Sequence, residues 1–137
     1  MIFVDTNVMI DILEADGEWG EWSRAAFASA RSTASPVVNH IVVAELASQM
    51  LHDQDVETIL KELGVAVVPF TIAASLQSGR AFHEYRRRGG TRPAILADFL
   101  IAGHAFASGA TLLTRDKRKI ASYFPDLLLI TPETDNG

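Results

Sequence analysis

Two rhythms of apolar and polar positions alternate along this chain. Short, continuously apolar and β-branched runs predict strands at 2–4, 37–38, 65–68, 111–113 and 127–130, the pattern of strands covered on both faces. Between them, helical periodicity predicts helices at roughly 7–14, 19–31, 42–52, 56–63, 72–88 and 93–107, with a short one after Asp116. Pro93 suits a first helical position, and Gly109 suits a helix end that feeds a strand. Strands alternating with helices imply right-handed crossovers and a parallel sheet. The expected architecture is therefore a three-layer α/β/α sandwich around a five-stranded parallel sheet, formed by residues 1–137 as one domain; if the strand order is 3-2-1-4-5, it reverses between the first and fourth strands. In such folds ligands sit beyond the carboxyl ends of the strands, where the strand order reverses.

Composition narrows the function without choosing it. With 48% apolar and 21% charged residues, the chain has the make-up of a soluble globular protein. No apolar run approaches the roughly 18 residues of a membrane-spanning helix. The opening Met1-Ile2-Phe3-Val4-Asp5 reads as a core strand rather than a signal peptide. Cysteine is absent, so thiolate zinc sites and disulfides are excluded, which fits a cytoplasmic protein. The net charge of −5 is unevenly spread: residues 1–21 hold six acids and no base. Arg86, Arg87, Arg88, Arg92, Arg115, Lys117, Arg118 and Lys119 are eight of the twelve basic residues, so an acidic protein still carries a basic rim.

Four carboxylates carry the candidate chemistry. Asp5 is the first polar residue after the opening strand, and Asp116 lies just past the fourth; either also suits a helix N-cap. Asp98 is harder to explain structurally, because the helix around it, Pro93-Ala94-Ile95-Leu96-Ala97-Asp98-Phe99-Leu100-Ile101-Ala102, is apolar almost all round. A buried, unpaired carboxylate costs several kcal/mol or gives up its charge, so Asp98 needs a cation, an arginine or a cap. Glu45 has a similar setting in Ile41-Val42-Val43-Ala44-Glu45-Leu46-Ala47, where a solvated helix face is the structural alternative. Chain direction puts Glu45 near the first turn of its helix and Asp98 in the second turn of its own, both at the strands' carboxyl ends. Carboxylates this close repel and raise one another's pKa, a penalty that a hard divalent cation removes. Oxygen-only ligands point to Mg²⁺ or Mn²⁺ rather than zinc, and phosphodiester hydrolysis is the chemistry such a site suits best.

The motifs Val4-Asp5-Thr6-Asn7-Val8, Asp98-Phe99-Leu100-Ile101-Ala102 and Leu113-Thr114-Arg115-Asp116 fall in order along the chain, with Glu45 between the first two. Together with the ending Tyr123-Phe124-Pro125 and Leu127-Leu128-Leu129-Ile130-Thr131-Pro132, they resemble the PIN domains of VapC-type toxins from toxin–antitoxin operons. The resemblance implies Asp5, Glu45, Asp98 and Asp116 as a catalytic tetrad around Mg²⁺ or Mn²⁺, with Asn7 and Thr114 orienting the carboxylates. It further implies endoribonuclease activity, a homodimer, and a small antitoxin as cognate partner. The surroundings of Glu45, Asn39-His40-Ile41-Val42-Val43-Ala44, match the family loosely.

Other features are weighed against simpler roles. Arg86 to Arg88 end a long helix, where positive charge complements the dipole. Together with Arg92 they also lead toward the helix of Asp98 and could track phosphates of an RNA substrate. Arg115, Lys117, Arg118 and Lys119 bracket Asp116 and are candidates for the same work. His104 reads as a hydrogen-bonded core histidine, and Trp19 and Trp22 as cover for the core or a partner. A haloacid-dehalogenase phosphatase would need an acid where Asn7 stands. A response-regulator receiver would need one where Val68-Pro69-Phe70 lies. The competing reading is a PIN-like module that binds RNA or protein without cutting; the intact set of acids counts against it.

Overall fold

The computed structural model describes residues 1–14, 17–49, 53–116 and 121–132, with the side chains of 53, 54 and 94 excepted. Its strands are β1 (Ile2–Val4), β2 (Pro36–Val38), β3 (Ala66–Val67), β4 (Thr111–Leu113) and β5 (Leu129–Ile130). They pair in parallel throughout, as the alternation of patterns predicts, and stand in the expected order β3-β2-β1-β4-β5. β1 is central because Ile2-Phe3-Val4 can be apolar on both faces, and Phe3 and Val4 are fully buried. The edge strands are shorter than their apolar runs. Ala66 and Val67 of β3 are exposed, so full coverage holds only for the middle of the sheet.

Among the described residues six helices complete the layers: α1 (Thr6–Leu13), α2 (Gly20–Thr33), α3 (His40–Ala47), α4 (Asp53–Leu63), α5 (Ile72–Arg87) and α6 (Leu96–Ala107). Right-handed crossovers put α1 to α4 on one face of the sheet and α5 with α6 on the other. The expected short helix after Asp116 falls on 117–120, outside the described residues, as do Lys117, Arg118 and Lys119. None of the described helices is long and apolar enough to cross a membrane.

Two helix starts differ from the sequence reading, and each has a local cause. α3 begins at His40 because the Asn39 side chain accepts hydrogen bonds from the amides of Ile41 and Val42, at 3.1 and 3.2 Å. Asparagine is a favoured N-cap, and the earlier start moves Glu45 into the second turn. Pro93–Ile95 form a separate 3₁₀ turn ahead of α6, which places Asp98 in the first helical turn rather than the second. α6 ends as expected: Gly109 has φ of +66°, and the Ala110 amide donates back to the Ala105 carbonyl at 3.0 Å. This left-handed cap favours glycine.

α5 and α6 pack at a distance only glycine permits. A Cβ on Gly103 would lie 2.1 Å from Ser78 Oγ and 2.8 Å from the Ser78 amide nitrogen. Ser78 is fully buried and spends its hydroxyl on the Ala74 carbonyl at 2.8 Å. Gly103→Ala should therefore force the two helices apart and cost about 1–3 kcal/mol in a urea unfolding titration. An unchanged midpoint would show that this contact does not set their spacing.

Candidate functional site

The sheet ladder itself brings the first residues of the site together. The Asp5 amide donates to the Leu113 carbonyl at 2.9 Å, and the Thr114 amide to the Ile130 carbonyl at 3.0 Å. Asp5 and Thr114 thus step off adjacent parallel strands side by side. The Thr114 hydroxyl donates to Asp5 Oδ2 at 2.7 Å and accepts the Asp116 amide at 3.2 Å. Asp5 Oδ1 accepts the Thr6 amide at 2.7 Å, so Asp5 is the N-cap of α1 as well as a site residue. Asn7 Nδ2 reaches both Asp5 Oδ2 and Thr114 Oγ1 at 3.4 Å, while Asn7 Oδ1 accepts the Arg115 amide at 3.2 Å. Asn7 and Thr114 thus touch the groups that the sequence reading has them orient.

Glu45 and Asp98 arrive from the helices. Thr6, buried at the start of α1, donates its hydroxyl to Glu45 Oε1 at 2.6 Å. Burial raises the Asp5 pKa to about 6 from an ordinary 3.8, against the lowering effect of the Thr114 hydrogen bond, and the charges of Asp98 and Glu45 raise it further. Their effect on Asp5 puts both acids close to its carboxyl group. Among the described residues, no three such groups already stand around one point in ligand geometry. Uncompensated like charges do not converge on their own. An oxygen-only donor set of crowded carboxylates matches a hard divalent cation of the Mg²⁺ or Mn²⁺ kind.

α3 and α6, which carry Glu45 and Asp98, are tied beneath the site. While Asn39 Oδ1 caps α3, its Nδ2 lies 3.4 Å from the Leu100 carbonyl and 3.2 Å from His104 Nδ1. Burial lowers the His104 pKa, so the ring is neutral and accepts that bond. It packs between Phe3 and Phe70, at centroid distances of 4.7 and 5.1 Å. His104 is a core histidine, as its place in the apolar helix predicts.

The basic candidates divide. Arg115 forms a bidentate pair with Asp11, at 2.9 Å (Nε to Oδ2) and 3.2 Å (Nη2 to Oδ1), and its guanidinium lies 5.8 Å from the Trp19 ring centroid. Ser23 of α2 donates to the same Asp11 at 2.8 Å. In this structure Arg115 anchors the segment before Asp116 to α1 and α2. Arg87 and Arg88 both bond Glu84, holding its pKa down to about 2, and Arg88 also lies over Tyr123. Arg86 and Arg92 are exposed and line a common cavity. Trp22 packs against the core. The sequence reading misses Thr6, Asp11 and Asn39. Asp11 carried a signal, since a lone acid amid Val8-Met9-Ile10-Asp11-Ile12-Leu13 poses the same question as Asp98.

Residues 2–123 match the PIN domain family, and the chain belongs to it. No curated protein matches it. Among solved structures it is similar to VapBC2 from Rickettsia felis bound to a DNA fragment from their promoter, with a TM-score of 0.73 and 21% identity over 96% of this chain and 98% of that one. FitAcB from Neisseria gonorrhoeae gives 0.69 and 22% identity over 97% and 99%. A toxin–antitoxin complex from Klebsiella pneumoniae gives 0.67 and 17% over 96% and 98%. These likenesses establish the fold.

The raised Asp5 pKa fixes the sign of a pH effect. The neutral carboxyl favours the folded state fully below the ordinary value of 3.8, and that contribution is lost as pH rises through about 6. Metal-free protein should lose thermal stability across that window, and Asp98→Asn should move the loss to lower pH. A ¹³C titration placing the wild-type Asp5 carboxyl near 4 would refute the crowding. Separately, Arg115→Met strands the buried Asp11 charge and should cost about 3 kcal/mol in urea denaturation. Pairing it with Asp11→Leu should recover most of that loss.

Proposed function

We propose that this PIN domain is a metal-dependent endoribonuclease, the toxin of a type II toxin–antitoxin pair of the VapC kind, acting in the cytoplasm. The observation that carries the reading is Asp5 held rigidly by Thr114 and Thr6 while Asp98 and Glu45 crowd its carboxyl. Such crowding lowers stability and is relieved by a cation. Asp5, Glu45, Asp98 and Asp116 would hold Mg²⁺ or Mn²⁺. In such a site a divalent ion supplies polarisation of phosphate oxygens and a lowered pKa for bound water.

The chain's own residues do the rest. Thr114 fixes the Asp5 carboxylate and the Asp116 backbone through one hydroxyl. Thr6 fixes the Glu45 carboxylate. The buried Asn39 ties the start of α3, ahead of Glu45, to the middle of α6, beyond Asp98. Positioning of this kind keeps the acids in place when a phosphodiester arrives. A small antitoxin protein and a second copy of the chain are the proposed partners. The toxin–antitoxin complex from Klebsiella pneumoniae, which shares the fold over almost its full length, supports the first of them.

Purified chain, free of any inhibitor, should cut RNA with Mg²⁺ or Mn²⁺ and stop in EDTA. Asp5→Asn and Asp98→Asn should each lower the rate about a hundredfold or more. Thr114→Val should weaken Mn²⁺ binding about 10–100-fold by calorimetry. Absence of cleavage by wild type with either metal would return the chain to an RNA- or protein-binding role.

A further inference from the structure

Among the described arginines of the two basic stretches, three are neutralised within the fold: Arg87 and Arg88 by Glu84, and Arg115 by Asp11. Arg86 and Arg92 have no acidic partner among the described residues, and both line the same cavity of about 460 Å³. That volume lies within the roughly 300–1,000 Å³ range of small-ligand sites. Phe82 and Tyr85 form one wall, their rings inclined by 22° with centroids 5.8 Å apart. The Tyr85 hydroxyl accepts the Arg92 amide at 3.1 Å, which fastens the loop that closes the cavity. Gly90 crosses the Tyr85 ring so closely that a Cβ there would sit 2.4 Å from it. The cavity is therefore built in advance of any ligand.

We propose that this cavity binds one unpaired nucleotide of an RNA substrate, with Arg86 and Arg92 on its phosphate and the Phe82–Tyr85 wall against its base. The proposal rests on the nuclease reading above. A nucleotide joins a flat apolar ring to a phosphate in one unit, as this cavity joins an aromatic wall to two uncommitted guanidinium groups. A carboxylate of an acidic peptide would satisfy the arginines and leave the wall bare. The position also suits a substrate. The cavity is lined by Pro93, which opens the 3₁₀ turn, and by Leu96, the first residue of α6. Asp98 stands two residues further on in that same first turn of α6, so the cavity and the acid share one end of the helix.

Titrating metal-free ¹³C,¹⁵N-labelled protein with uridine monophosphate tests the cavity independently of cleavage. Shifts are expected at the Arg86 and Arg92 side chains, at Gly90 and Thr91, and at the Phe82 and Tyr85 rings; inorganic phosphate should move only the arginines. In anisotropy measurements with an unpaired oligoribonucleotide, Arg86→Gln with Arg92→Gln should weaken binding about tenfold and reduce the salt slope by roughly one to two. Arg31→Gln on α2 should change neither. A cleaving enzyme whose RNA affinity and salt slope survive the double substitution would overturn the subsite and leave the nuclease standing. Nucleotide shifts at the cavity in a protein that never cleaves would support the subsite while removing the nuclease. An acidic peptide that displaces the nucleotide and binds more tightly would overturn it in favour of a protein partner.

Discussion

The structure turns on a conflict between hydrogen bonding and charge at Asp5. Its carboxylate is fixed by the Thr6 amide and the Thr114 hydroxyl, two contacts that favour the ionised form. Burial and the neighbouring charges of Asp98 and Glu45 oppose ionisation more strongly, and the pKa of the carboxyl rises to about 6. A fold could avoid this by separating the acids. Here the parallel ladder sets Asp5 beside Thr114, while α3, capped by Asn39, and α6, led in by a 3₁₀ turn, bring Glu45 and Asp98 to the same edge. Every element that positions the site thereby adds to its electrostatic cost. The cost makes sense where a cation is to be held.

The surrounding construction explains how the fold tolerates that cost. β1, with Phe3 and Val4 fully buried, provides a rigid core behind the acids. On one face, α1 and α2 are pinned by the Asp11–Arg115–Ser23 cluster; on the other, Gly103 lets α6 approach α5 closely. Buried ion pairs add little net stability relative to apolar packing. The Arg115 pair has a geometric value instead, since it ties the backbone just ahead of Asp116 to two helices.

Much of this was legible in the sequence. The two periodicities gave every strand and the parallel pairing, because central strands and amphipathic helices differ in apolar spacing over many residues. Asp5 and Asp116 could be placed from chain direction alone, and Asp98 from the improbability of an acid in an apolar helix. Helix starts were less legible, since Asn39 and Pro93 act through single hydrogen bonds or their absence. Those shifts moved Glu45 and Asp98 by a turn relative to expectation. The division of the arginines was legible only in part. Glu84 stands three and four residues before Arg87 and Arg88, the spacing of helix neighbours, and two before Arg86, whereas only the fold brings Arg115 to Asp11. Thr6 was hidden for the same reason, as its partner Glu45 lies 39 residues away.

Asn39 has a mechanical consequence. One amide side chain caps the start of α3 with its oxygen and reaches α6 with its nitrogen, so displacing either helix against the other breaks these bonds. A displacement of the backbone behind Glu45 is thereby felt behind Asp98 as well, although the two acids stand far apart along the chain.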